Sequence, residues 1–316
     1  MAADSLSGQM RSAAGGLLGL LDDEQRALAA RPFADEQARR WLEYRPLPRA
    51  GASLAQLSVA ARKAAHRLLA TGLSEHAYAQ AMIVIALEEV LDRREAGRNE
   101  RHSGDYWVAV FGDPSGADPW SWRFEGHHLS VTMTIIGEAV SPAPVFLGAN
   151  PALVSYDGQP VSRPLGIEED LARALLAELS PAELGRALVS DQAPADIRSG
   201  TRPAAGDRIE PAGLSAGQLA AAPRAALGRL ARLYTDRLPA ELASAEAYRI
   251  EAGELHFAWE GPLRPGARHY YRLQGDDLLI EYDTTGDGNH AHTVLRRPAS
   301  DFGDDVLAAH YQQAHA

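Results

Sequence analysis

His290 and His292 stand one residue apart just after a glycine-rich turn, and Glu281 and Asp283 stand at the same spacing just before it. Imidazoles and carboxylates are the ligands a chain without cysteine can offer a transition metal, and this sequence has no cysteine. Side chains alternate along a strand, so each pair presents both of its members to one face. If the turn is centred between Gly286 and Asp287, Asp283 faces His290 and Glu281 faces His292, with opposed Cβ atoms about 5 Å apart. A turn centred one residue later sets Asp283 against His292 instead. Either register leaves all four side chains able to share a cation.

A second histidine pair lies far upstream, in the run Trp120 to Thr134. That run reads as one strand, which sends His127 and His128 to opposite faces and lets only one of them join the first group. His127 would lie with Leu129, Val131 and Met133, and His128 with Ser130, Thr132 and Thr134. The expected metal ligands are therefore His290, His292 and either His127 or His128, with Glu281 as fourth ligand or base. Asp283 or Asn289 would orient an imidazole from behind.

Neutral imidazoles suit copper, iron or zinc. Copper or iron would make the protein an oxidoreductase acting on a small organic molecule, with Trp259, Tyr270 or Tyr271 lining the pocket. Zinc would lower the pKa of a bound water to about 7 for hydrolysis, with Glu281 as base. Glu281, Asp283 and Tyr271 are thus the candidate catalytic residues. Arg268, Arg272 and Arg296 could hold a substrate carboxylate, although arginines on strands are more often plain surface groups. A noncatalytic metal- or ligand-binding protein is the third expectation, and an imidazole–carboxylate network holding no metal is the plainest one.

The elements that must position these residues read as an α+β fold: N-terminal helices packed on a mainly antiparallel sheet, a helical insertion, a C-terminal β-meander and a final helix. Residues 1–12 read as a disordered tail and 13–316 as one domain, helical over 13–100, stranded over 105–160, helical again over 165–248, then a meander and last helix over 249–315. Ser58 and Ser74 are natural N-caps, and Ser180-Pro181-Ala182-Glu183 is a capping box. Ser215 reads as the cap of a helix to about Arg237. The run Ala79 to Leu87 is apolar almost all round, which marks a central helix. Glu88 or Glu89 at its end could face a site, although helix carboxylates are more often solvated. Ser190 to Gly213 reads as a long loop, a surface excursion or a lid. Asp301 reads as the cap of the last helix, on which His310 could turn inward. No internal repeat is read.

Several strings carry a resemblance: Gly126-His127-His128-Leu129-Ser130, His256-Phe257-Ala258-Trp259-Glu260-Gly261, His269 to Gly275, Ile280-Glu281-Tyr282-Asp283, Asn289 to Val294, and Asp301-Phe302-Gly303-Asp304-Asp305. Together they make the chain, from about Leu17 to His310, similar to the domain of unknown function 3500 family. The resemblance implies no particular reaction. The sequence departs from the family where Trp-Arg-Asp is expected and Leu295-Arg296-Arg297 stands, so an acidic partner at Arg297 is absent.

Composition narrows the classes. The 316 residues, 46% hydrophobic and 23% charged, are an ordinary globular mixture. A net charge of −11 without any basic run argues against a nucleic-acid partner. No stretch approaches the ~20 apolar residues that span a bilayer, and the start lacks a secretory pattern. The expectation is a cytoplasmic protein with a small-molecule substrate and no membrane partner.

Overall fold

Strict alternation along the strands gives the central sheet one apolar face and one polar face, and this division positions the site. The structure is a computed structural model describing residues 5–206 and 208–308. Its long strands are β1 (Tyr106–Phe111), β2 (Trp120–Gly126), β3 (Leu129–Ile136), β4 (Val145–Ala149), β5 (His256–Glu260), β6 (Tyr270–Gly275), β7 (Leu278–Thr284) and β8 (Ala291–Arg296). They pair antiparallel in the order β1-β2-β3-β4-β8-β7-β6-β5. The α+β class with a C-terminal meander is as expected.

Cross-strand register decides which side chains share a face. Val108, Trp122, Val131, Leu147, Tyr282, Tyr271 and Trp259 belong to the apolar face, buried against the helices. Arg123, Glu125, Ser130, His292, Asp283, Glu281, Tyr270, Arg272 and Glu260 belong to the other. Loops cover that polar face through a small apolar cluster of Leu42, Tyr44, Phe146, Ile197, Val294 and Phe302. Buried ion pairs pin them down: Arg49–Glu125 at 3.2 Å and Arg296–Asp301 at 2.7 Å.

The helices are α1 (Leu6–Leu18), α2 (Asp23–Ala29), α3 (Glu36–Arg39), α4 (Val59–Thr71), α5 (Glu75–Arg94), α6 (Gly166–Glu178), α7 (Pro181–Ala187), α8 (Ala221–Thr235) and α9 (Ala240–Ala252). Ser58 caps α4 through its side chain, and the capping box at Ser180 is formed. Ser74 precedes α5 without a side-chain cap bond. Ser215 caps a short 3-10 turn, Ala216–Gln218, before α8 begins.

Two expectations are corrected here. The segment read as a tail is helical from Leu6, because Met10, Ala14 and Leu17 recur at helical spacing and are fully buried. Asp301 does not cap the last helix: its carboxylate is taken by Arg296 and by the Arg297 N–H. A 3-10 turn at Asp301–Gly303 leads into helical residues 304–308. The remainder of the expected helix to His315, with His310, lies outside the described residues.

The reading of no internal repeat is corrected too. Each half runs long helix, short helix, a short strand parallel to the first meander strand, a short antiparallel strand, a 3-10 turn, two helices and a four-stranded meander, to which the first half adds α3 and a short strand at Ala139–Ser141. The strand order therefore reads the same from both ends. Gly51-x-Ser53-x-x-Gln56-Leu57 recurs as Gly213-x-Ser215-x-x-Gln218-Leu219, and Arg123-Phe124-Glu125-Gly126 as Arg272-Leu273-Gln274-Gly275. Gly51 and Gly213 both have positive φ, and a Cβ on either would meet the backbone oxygen of Val108 or Phe257 at 2.7 or 2.3 Å. Only glycine lets the short strand approach so closely.

One consequence is testable away from the site. Arg237 and Glu168 are both fully buried, 2.7 Å apart, beneath the sheet at Thr293. Arg237→Met strands a buried carboxylate, and urea denaturation should show a loss of about 3–5 kcal/mol.

A histidine-centred candidate metal site

The polar face becomes a site where β3, β4 and β8 meet. His292 sits within β8 directly opposite Asp283 of β7, the later of the two registers expected. His290 lies just before the strand and is half-buried. The reading of Trp120 to Thr134 as one strand is corrected: His127 and His128 are the turn of the β2–β3 hairpin, and His128 takes φ 62°. A turn frees the two rings from opposite faces. They stack with centroids 3.7 Å apart, and both lie near the site.

The Nε2 atoms of His128 and His290 are 2.8 Å apart, and the His292 ring lies 4.5 Å from His290 and 5.3 Å from His128. Tetrahedral bonds of about 2.0–2.1 Å separate two imidazole nitrogens by roughly 3.3 Å, so a shift of about half an ångström would admit an ion. Gly148 makes the approach possible, since a Cβ there would meet His128 Cδ2 at 2.7 Å and His292 Cδ2 at 3.1 Å. Gly148→Ala should therefore cost about 1–3 kcal/mol in chemical denaturation and lower bound metal together with it.

Behind His292 stand two carboxylates, Asp196 at 2.9 Å and Asp283 at 3.2 Å from Nδ1. They fix the Nδ1–H tautomer and leave Nε2 for a ligand. Burial opposes charge on His292, but these carboxylates outweigh it and push its pKa up to about 9. Burial raises Asp283 to about 6 against the pull of His292. Burial and the neighbouring His292 and His127 hold His290 down at about 3, and burial first and then the same imidazole crowd keeps His128 well below its ordinary value. Tyr44 closes the site: its hydroxyl donates to Asp196 at 3.0 Å and its ring stacks on Phe146 at 4.2 Å.

Other expected residues fall elsewhere. His127 turns to Glu88, 2.5 Å away, and leaves the three-histidine group. Glu281 does not join the three-histidine group: it accepts the N–H groups of Arg198 and Ser199 and the Tyr270 hydroxyl. Tyr271 and Trp259 lie on the apolar face, away from the histidines, where Tyr271 meets Tyr234 at 2.7 Å and Trp259 stacks on His269 at 4.6 Å. Tyr270 shares the polar face but is buried against Glu281. Arg272 is held by Glu260, and Arg296 by Asp301 and the carbonyls of Arg202 and Pro203, so neither is free to hold a substrate. Arg268 donates to the Pro194 carbonyl, and Asn289 bonds Leu153 instead of an imidazole. The absent acid near Arg297 is made good by Glu246 and Asp277.

Sequence reasoning missed Asp196 and Tyr44 and set Glu88 aside as a solvated group. Asp196 comes from the 190–213 loop, which lies over the polar face and is no mere excursion. Glu88 had a signal, a carboxylate directly after the almost wholly apolar run of α5.

Fold and site define an α+β protein with a two-half antiparallel sheet and a buried histidine–carboxylate centre. The chain belongs to the family described as "Protein of unknown function (DUF3500)", whose pattern matches residues 4–304. No curated protein and no solved structure matches it. Among the described residues no helix is long and apolar enough to cross a membrane.

Proposed function

We propose that this protein is a mononuclear metalloenzyme acting on a small organic molecule, with His128, His290 and His292 as ligands of one transition metal ion. What carries the reading is that three imidazoles from two remote turns converge while both carboxylates stand behind His292. No fourth His, Asp or Glu atom joins the three among the described residues, which leaves a coordination position for water or substrate. When bound, copper or iron here would supply electron exchange with dioxygen, and zinc would supply an acidified water.

Oxidation is the better-supported chemistry. Hydrolysis requires a base beside the activated water, and Glu281 lies outside the histidine group, engaged by three donors of its own. Oxidation does not require that base, and the aromatic wall of Tyr44 and Phe146 suits an organic substrate. One observation favours zinc and hydrolysis as the second reading: Asp283, raised to about 6, could receive a proton through His292 near neutral pH.

Metal analysis of the purified protein with its optical spectrum tests both. About one equivalent of coloured copper or iron is expected. One equivalent of colourless zinc would transfer the assignment to hydrolysis, and trace metal after incubation with copper, iron and zinc salts would overturn the centre.

A further inference from the structure

Beneath β7 and β8, on the apolar face and across the sheet from the histidines, lies a cavity of about 420 Å³. Leu153, Leu165, Pro265 and Ala291 give it apolar walls, and α6 closes one side with Glu169. Its charged groups are already engaged. Arg163 is held by Asp170 and Glu169, Glu169 by Arg163 and Arg173, and Asp287 stands exposed at the rim, where it accepts the Asn289 N–H. Asn289 is tied through both ends of its amide to the Leu153 backbone.

Two buried polar atoms are left over. Tyr282 lines the cavity, is only 2% exposed, and its hydroxyl forms no hydrogen bond among the described residues. Its ring packs against Tyr271 and His269 on the β6 side, at 5.1 and 5.5 Å, while its neighbours on β8, Thr293 and Ala291, are too small to fill the other side. His269 is 1% exposed and donates Nδ1–H to the Ala267 carbonyl at 3.0 Å, which leaves Nε2 an acceptor without a partner. That atom stands 3.9 Å from Oε1 of Glu169, two acceptors with no hydrogen between them. Burial holds the imidazole below its ordinary pKa, so it is neutral near pH 7. Buried polar groups of this kind are rarely left unpaired.

We propose that this cavity binds a small neutral molecule carrying a hydroxyl on an aromatic ring, a phenol. The ligand oxygen accepts the Tyr282 O–H, and its own hydrogen goes to His269 Nε2. Its ring lies along Tyr282 and the apolar walls. With the guanidinium and carboxylate groups of the lining paired or at the rim, nothing inside favours an ionic ligand over a neutral one. Asn289 and Ala291 flank His290, so an occupant bears on the segment that carries a proposed metal ligand. That link rests on the metalloenzyme reading, whereas the binding does not.

The test is a ligand-observed NMR titration of the purified full chain with phenol and with anisole, which keeps the ring but cannot donate, each run with and without added copper. Phenol should bind under both conditions, at least about tenfold tighter than anisole, as a hydrogen bond to a buried unpaired acceptor implies. Tyr282→Phe removes a hydroxyl that bonds nothing in the chain, so its urea midpoint should match that of the unmodified protein while phenol affinity falls about tenfold. Ala152→Trp, on the half-buried rim, should block phenol altogether. Equal binding of phenol and anisole, or phenol affinity indifferent to Tyr282→Phe, overturns the proposal. Phenol bound only when copper is present would place it at the metal and overturn this site too. Phenol bound by a protein that takes up no metal keeps the cavity and loses the centre alone.

Discussion

His292→Ala protein is expected to come off the column with its metal gone, at least about a hundredfold weaker in affinity than the unmodified chain, while still folding. The residue does two things that no neighbour duplicates. Its ring stands beside those of His128 and His290, and with its Nδ1 anchored to Asp196 and Asp283 its Nε2 is the atom left to ligate. Substitution removes a proposed ligand and also leaves Asp283, wholly buried, without its one ion-pair partner among the described residues. Asp283→Asn separates these roles, because it keeps every ligand and weakens only the orientation of one. An affinity loss of about 10–100-fold is expected for it. Competition with a chromophoric chelator measures both. Equal metal content in His292→Ala, His290→Ala and the unmodified chain would remove the three histidines from any ligand role.

How the sequence disclosed this centre, and where it failed, follows from what local pattern can encode. Alternation gave the β6–β8 meander and its Asp283–His292 pairing as one of two registers, because both depend on neighbours in the chain. The same reasoning failed at His127 and His128. Gly126 and two polar residues can be read as strand or as turn, and only the pairing of β2 with β3 decides between them. Tyr271 and Trp259 were misplaced for a related reason. Alternation shows which residues share a face, but an aromatic ring suits an apolar core as well as a pocket wall, so Tyr271 and Trp259 do not by themselves tell which face holds the site. Arg272 and Arg296 look like substrate handles until the loops that neutralise them, 190–213 and 297–303, are folded over the sheet. The internal repeat escaped because α5 and α9 differ in length and few identities survive, whereas the order of elements is preserved.

Stability of the metal-free protein should peak near pH 6–7 and fall on both sides, and the two limbs have different owners. His292 is raised from about 6.5 unfolded to about 9 folded, so the native state holds its proton more tightly. That contribution is complete below pH 6.5 and disappears as pH rises through 9, an alkaline loss of about 3–4 kcal/mol at ~1.4 kcal/mol per pH unit. His128 and His290 have folded values below their unfolded ones, so the unfolded chain binds protons first and stability falls as pH drops below 6.5. Asp283 works against that acid limb. Its folded value of about 6 lies above the unfolded one, so between pH 6 and 4 protonation returns part of what two histidines lose. Two protons against one still leave a net decline. Metal should reshape both limbs, since His292 bound through Nε2 is neutral and has no extra proton to lose above pH 6.5. The alkaline limb should flatten in the loaded protein, and the acid limb should steepen as protons displace the ion. Urea denaturation from pH 4 to 9.5, with and without chelator, measures this. A metal-free profile level from pH 6.5 to 9 would mean that His292 does not sit as an imidazolium between Asp196 and Asp283, and the anchoring of the centre would fall with it.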